Sequence, residues 1–306
     1  MRTSGTTAGA DRTTPTSRTG WDGRPLVSAD WLSRHLADAD LTALDASVAK
    51  ATGADGARAW RSGLAAFETT GHIPGARFAD LIDDFSSPAA RFAFTRPTAS
   101  RFAAAASALG LTDDRRLVIY DDSTGIWAAR LWWLFRAFGH DAVAVLDGGL
   151  GAWTAGGGRL ETGRPAETPT AFTARERPGF FVETADVLAI VEGRAPGTLA
   201  CVLRRPVFTG AECSYSRPGH IPGSLSLPHG ELLSPDGRFR PPAELRRRLA
   251  PLLAGERPIV AYCGGGVTAA GTALALALAG ADGVTIYDGS LAEWSANPAL
   301  PMATGS

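Results

Sequence analysis

One pattern runs along this chain twice, and a repeat at such spacing decides the architecture before any single residue does. Gly71-His72-Ile73-Pro74-Gly75 recurs as Gly219-His220-Ile221-Pro222-Gly223. Leu146-Asp147-Gly148-Gly149-Leu150 with Trp153 recurs as Tyr287-Asp288-Gly289-Ser290-Leu291 with Trp294. The first pair is offset by 148 positions and the second by 141, so the second copy is 7 residues shorter between these marks. Within that interval each copy holds an apolar strand and then a long helical stretch, 117–120 before 127–138 and 259–262 before 268–279. A further apolar strand follows each, 143–146 or 284–287. Strands apolar along their whole length, alternating with helices, indicate a parallel sheet covered on both faces. The expected fold class is α/β, with two tandem domains at 22–160 and 178–306 joined by a proline-bearing linker, 161–177. Residues 1–21, rich in Thr, Ser, Gly and Arg without an apolar run, read as a disordered tail and not as a secretory signal.

The chemistry is expected where the two copies differ. Cys263 ends the run Ile259-Val260-Ala261-Tyr262 and is followed by Gly264-Gly265-Gly266-Val267-Thr268, after which an alanine-rich helix begins. In open α/β sheets the reactive site lies at the carboxyl ends of strands, which is where this thiol stands. The glycines let the backbone turn tightly and aim N–H groups inward, and the helix adds its positive end. Both effects favour thiolate and would stabilise an anion carried on the sulfur. The competing reading is a buried structural cysteine behaving as a small hydrophobe. Three consecutive glycines weigh against it, because ordering glycine is entropically costly and a plain reversal needs one or two. Aligned through Tyr120 and Tyr262, the first copy has Asp121 at the place of Cys263. Its loop, 121–126, holds two carboxylates and no thiol, so the first domain is expected to be non-catalytic, contributing interface and pocket wall.

Composition narrows the partners. A net charge of −1 points to neither nucleic acid nor an anionic membrane, and no run approaches the roughly 18 apolar residues of a membrane span. Lys50 is the only lysine, a bias attributed to a high-GC genome. Cys201, Cys213 and Cys263 include no CxxC pair and the five histidines do not cluster near them, so no metal site or disulfide framework is expected. No phosphate-binding GxGxxG follows an early strand, so no cofactor is implied. A reducing cytoplasm is the expected location.

Gly-His-Ile-Pro-Gly in both copies, Cys-Gly-x-Gly-Val-Thr at 263–268, Tyr-Asp-Gly-Ser…Glu-Trp at 287–294 and the stretch 130–140 together resemble the tandem-domain rhodanese family. That family includes thiosulfate and 3-mercaptopyruvate sulfurtransferases. The resemblance implies two rhodanese-like domains and ping-pong covalent catalysis: Cys263 takes sulfur from a small donor as a persulfide and hands it to an acceptor. The implied acceptors are cyanide, a thiol, thioredoxin or a sulfur-carrier protein. Gly264, Gly265, Gly266, Val267 and Thr268 would form the persulfide cradle, with Thr268 as N-cap of the helix. A loop without cations resembles the mercaptopyruvate-preferring members more than the thiosulfate-preferring ones, whose loop reads Cys-Arg-Lys-Gly-Val-Thr.

Two departures stand out. Gly265 lies where the mercaptopyruvate enzymes place a hydroxyl, and Val207 where the family carries a donor-anchoring arginine. Arg204, Arg205 and Arg217 are candidate substitutes, each against the alternative of solvated surface charge. His72 matches a histidine given a proton-relay role in the family; the structural alternative is a loop-fixing hydrogen bond. Cys201 reads as a core residue, and Cys213, in a polar loop, as the better candidate for a second redox-active sulfur. A phosphatase of the Cys-x5-Arg type is disfavoured because the residue six after Cys263 is Ala269. The remaining alternatives are a non-catalytic rhodanese-like binding module and a sulfur donor dedicated to one biosynthetic route.

Overall fold

The computed structural model of the chain describes residues 22–52 and 58–306; the tail expected at 1–21 lies outside the described residues. In chain order the strands are β1 (Leu26–Val27), β2 (Leu41–Asp45), β3 (Val48–Thr52), β4 (Arg58–Ser62), β5 (Arg77–Phe78), β6 (Arg116–Tyr120), β7 (Val143–Leu146), β8 (Phe181–Val182), β9 (Thr198–Cys201), β10 (Leu225–Ser226), β11 (Ile259–Tyr262) and β12 (Val284–Tyr287). The helices are α1 (Ala29–His35), α2 (Leu64–Thr69), α3 (Ala99–Ala108), α4 (Ile126–Ala137), α5 (Gly149–Ala155), α6 (Thr184–Val191), α7 (Arg205–Thr209), α8 (Pro242–Leu253), α9 (Val267–Leu278) and α10 (Ser290–Ala296). One sheet runs β1-β7-β6-β2-β5 and the other β8-β12-β11-β9-β10, so corresponding strands of the two copies take the same places. Every pair within these sheets is parallel.

Apolar runs become central strands because both faces of each sheet are buried. Along β6, Leu117 and Ile119 enter one core while Val118 and Tyr120 enter another. The same alternation sends Val260 and Tyr262 of β11 into one cluster and Ala261 into the core that also holds Leu117 and Ile119. That shared core spans both halves. It collects Trp127, Trp132 and Leu134 from α4 with Ala269, Ala270, Ala273 and Leu274 from α9. The small residues of α9 let the two helices pack closely together. At about 1.5–3 kcal/mol for each large apolar side chain fully buried, such a seam is costly to open.

Superposing the repeat on these elements locates what differs. Phe67 lies 21 positions after Ala46, but Phe208 lies only 6 after Val202, and the difference is the antiparallel hairpin β3–β4. Conversely, His72 follows Phe67 by 5 positions and His220 follows Phe208 by 12, which gives the second copy a longer loop through Cys213, Tyr215 and Arg217. The segment 161–177 has no strand beyond a single bridge of Glu161 to His72. It is tied to the first half by Thr170 and Arg175, whose amides donate to the Ser107 and Phe138 carbonyls. No helix among the described residues is long and apolar enough to cross a membrane.

One expectation is corrected. Thr268 is not the N-cap of α9: the helix starts at Val267 and Gly266 caps it with φ 76°, with no side-chain hydrogen bond. Gly125 does the same for α4 at φ 77°. The left-handed glycine ends the loop by itself, two positions earlier than a cap at Thr268 would.

Candidate active site

Cys263 follows β11 directly and is a free thiol, 2 % exposed. It lies on the wall of a cavity of about 400 Å³ between the two halves. The first half contributes Lys50, Trp60, Phe94 and Trp127 to that cavity; Tyr215, Gly264, Gly265 and Thr268 come from the second. The loop is held from behind by Ser290. Its Oγ accepts the amides of Cys263 and Gly266, each at 3.1 Å, and donates to the Tyr287 carbonyl at 2.8 Å.

The first copy shows what this kind of loop can hold. There the Asp121 carboxylate sits inside the turn. Oδ1 accepts the amides of Ser123 and Gly125 and the Ser123 hydroxyl, at 2.8–3.0 Å, and Oδ2 accepts the Trp127 and Ala128 amides at 3.0 Å. Asp121 is the counterpart of Cys263, since its carbonyl accepts the Leu150 amide as the Cys263 carbonyl accepts that of Leu291. A strand end followed by a helix start thus binds an anion in one copy with its own side chain. In the other copy the matching helix start, Val267-Thr268-Ala269, stands beside a thiol and Ser290 takes the Gly266 amide instead. Gly149 occupies the place of Ser290 in the first copy, where a Cβ would come within 2.2 Å of the Asp121 carbonyl oxygen.

The three glycines do three different jobs. A Cβ on Gly264 would lie 2.0 Å from the Tyr215 hydroxyl, so this glycine admits the phenol against the loop. Gly266 supplies the left-handed turn, and its Cα faces Asp288 Oδ1 and Arg130 Nη1, at 2.9 and 3.1 Å from a Cβ placed there. Gly265 has only the Ala93 carbonyl at 3.4 Å, an ordinary contact, and leaves the cavity open on its side.

Charge beneath the loop crosses between the halves. Arg130 is 1 % exposed, with Nη2 at 2.7 Å from Asp288 Oδ1 and donating to the Phe94 carbonyl at 2.7 Å. The Arg96 amide donates to Asp288 Oδ2 at 2.8 Å, and its guanidinium pairs with Glu183. Burial, with the neighbouring Cys263 and Cys201 thiols, raises the Tyr215 phenol above its usual value, so it remains a proton donor. Burial also pushes the Cys201 thiol up to about 11.

The sequence-predicted residues separate accordingly. Cys263, Gly264, Gly265, Val267 and Thr268 all line the cavity, and Gly266 closes the turn behind it. Arg204 lines the adjoining cavity with Lys50 and Tyr215, but it is exposed and paired with Glu212. Arg205 is exposed, 3.5 Å from Glu231. Arg217 is spent on the carbonyls of Trp294, Ser295, Asn297 and Leu300, clamping the end of α10. His72 is fully buried and is not brought to Cys263. It stacks on Phe67 at 3.7 Å and contacts the Phe67 carbonyl at 2.9 Å, as His220 does with Phe208 at 3.7 and 2.8 Å. Cys201 is wholly buried and Cys213 exposed. Lys50, Trp60, Tyr215 and Ser290 were missed. Of these only Ser290 had a signal, as the residue replacing Gly149 within the repeat.

The Rhodanese-like domain family matches residues 28–156 and 204–297. A probable 3-mercaptopyruvate sulfurtransferase of Pseudomonas aeruginosa is 38% identical over 288 residues, covering 92% of this chain and 98% of its own. The human 3-mercaptopyruvate sulfurtransferase is 38% identical over 287 residues, covering 89% of this chain and 92% of its own. The crystal structure of SseA from Escherichia coli, described as a 3-mercaptopyruvate sulfotransferase with the rhodanese fold, superposes with a TM-score of 0.76. It is 32% identical and covers 87% of this chain and 98% of its own.

Proposed function

The chain belongs to the rhodanese-like family and is a sulfurtransferase; from that premise we propose that Cys263 carries the sulfur and that 3-mercaptopyruvate supplies it. The observation that carries this reading is the pair of equivalent turns. One holds a carboxylate in its amides, and the other offers the same backbone to whatever Cys263 bears. In the first half-reaction the Cys263 thiolate attacks the donor sulfur and an S–S bond forms. The C–S bond breaks with its electron pair going to carbon, as the enolate of pyruvate. The donor's thiol proton ends on that carbon, giving pyruvate and a Cys263 persulfide anion. Amides at the start of α9 stabilise the anion in place of water, and the protonated Tyr215 phenol stands against the loop as a donor. In the second half-reaction an acceptor thiolate attacks the terminal sulfur, the S–S bond breaks, and Cys263 leaves as thiolate.

Under this reading 178–306 is the catalytic domain, 22–160 the non-catalytic one and 161–177 their linker. The cavity is roughly the size of a small-ligand site, larger than a three-carbon keto acid needs, which leaves room for a small thiol acceptor, thioredoxin's reactive turn or a carrier tail. Three free thiols fit a reducing, cytoplasmic setting. Intact-mass measurement of wild type and Cys263→Ala after exposure to 3-mercaptopyruvate or thiosulfate tests it. Gain of one sulfur atom by wild type alone, from 3-mercaptopyruvate, is expected. Gain from thiosulfate alone would reassign the donor, and gain by Cys263→Ala would remove Cys263 from the role.

A further inference from the structure

A donor that ends in a carboxylate needs a cation, and the catalytic half does not present one over Cys263. Val207, standing where the family carries its arginine, is 5 % exposed and apolar. Arg204 and Arg205 are engaged with Glu212 and Glu231 outside that cavity, and Arg217 is consumed by four backbone carbonyls. Among the described residues lining the cavity, one side chain carries a formal charge: Lys50.

Lys50 arrives from the other half. It lies on the hairpin β3–β4, the segment with no counterpart in the second copy, and it also lines the adjoining cavity at the mouth. Lys50 and Trp60 are cross-strand partners, and Nζ stands 5.5 Å from the centre of the Trp60 ring. That ring meets Trp127 edge-on at 5.0 Å and Phe94 at 6.3 Å, so it is braced against the start of α4. The cation–π contact biases a flexible four-carbon stem toward one place. Lys50 is exposed at the edge of the cavity it lines, and among the described residues no carboxylate pairs with it.

We propose that Lys50 anchors the carboxylate of the sulfur donor. The anionic end of the substrate is then held by the first half and its thiol end is delivered to Cys263 of the second. This assignment rests on the sulfur-transfer reading of Cys263. It also sets the donor's class. A single ammonium neutralises a monoanion such as a mercapto-keto acid and leaves a small dianion half compensated, so the site favours the former.

The test uses the whole chain with Lys50→Met, which keeps the stem against Trp60 and deletes the charge, and Lys50→Arg, which restores it. With 3-mercaptopyruvate, Lys50→Met should raise KM roughly 10- to 100-fold while kcat stays within about twofold, the loss expected for one charge-assisted contact. Lys50→Arg should recover most of that. With the ethyl ester of 3-mercaptopyruvate, which keeps the reacting thiol and carbonyl but not the charge, wild type and Lys50→Met should have the same KM. Calorimetric binding of pyruvate to Cys263→Ser protein, with and without Lys50→Met, separates the anchor from the chemistry. Equal KM for the acid in wild type and Lys50→Met would overturn the assignment. So would equal affinity for pyruvate, or no pyruvate binding in either protein. Weaker pyruvate binding in Lys50→Met, with no persulfide formed on the wild type, would keep the anchor and discard sulfur transfer instead.

Discussion

Asp45 and Cys201 end equivalent strands, and each sits beside a tyrosine, Tyr120 or Tyr262, whose hydroxyl accepts the Ile amide of a Gly-His-Ile-Pro-Gly segment at 3.1 Å. Burial treats the two acids alike in direction. It lifts the Asp45 carboxyl to about 6, against hydrogen bonds from Ser47 that pull it down. An unfolded Asp titrates near 3.9, so between about 4 and 6 the folded chain binds more protons than the unfolded one. Asp45 therefore gives its full stability below about pH 4 and loses it as the pH rises through about 6. Asp45→Asn, which keeps an acceptor for the Ser47 amide, should remove that loss and raise stability at pH 7 by about 2 kcal/mol. Urea unfolding of both proteins at pH 4.5 and pH 7 checks it: a gain at pH 7 that shrinks to about a third at pH 4.5 is expected, and equal midpoints at pH 7 would refute it. Single residues were legible where their type alone sets their fate. Cys201 at the end of an apolar strand read as core, and core is where it lies. His72 and Arg217 did not read so clearly, because a ring stacked on Phe67 and a guanidinium facing four carbonyls depend on partners far along the chain.

At the level of one element, the turn from β11 into α9 is a set of unlike positions, although the sequence writes it as one letter three times. Gly264→Ala would drive its methyl into Tyr215, while Gly265→Ser meets only the Ala93 carbonyl at van der Waals distance. Gly264→Ala should lower sulfur-transfer kcat by at least about tenfold, the cost of about 1.4 kcal/mol in the transition state. Gly265→Ser should stay within a few-fold of wild type with an unchanged melting temperature. Steady-state rates with thermal melts on both proteins decide this, and matched losses in the two variants would show that the glycines act as one unit after all. Strands and long helices were readable because apolar runs and periodicity are local. The cap of α9 was misplaced by two positions because a threonine suggests a side-chain cap and Gly266 caps with its backbone alone. The hairpin β3–β4 escaped notice for a similar reason: Lys50 and Trp60 are meaningful only once paired across it.

For the whole molecule, the halves are joined by a common core and by a buried charge pair. Asp288 and Arg130 are 4% and 1% exposed at their side chains, and removing either strands the other away from water. Arg130→Met should cost about 3–5 kcal/mol, and the chain should still unfold in a single transition, because α4 and α9 share their apolar seam. Calorimetry is the check; two resolved transitions in the wild type would contradict a common core. The duplicated scaffold was fully legible, since repeats announce themselves. The cavity was not, since its walls come from places where the repeat is broken: the hairpin in one half and the Tyr215 loop in the other.

The carboxylate that Asp121 places in its own turn has a consequence for counting. A duplicated chain with two thiols would carry two sulfur atoms and could release them unevenly. Here one of the two positions is permanently filled by a group that never leaves. If Cys263 is the carrier as proposed, loading through these two turns is one atom per chain, and each encounter with an acceptor would deliver a single equivalent and return the protein to the same starting state.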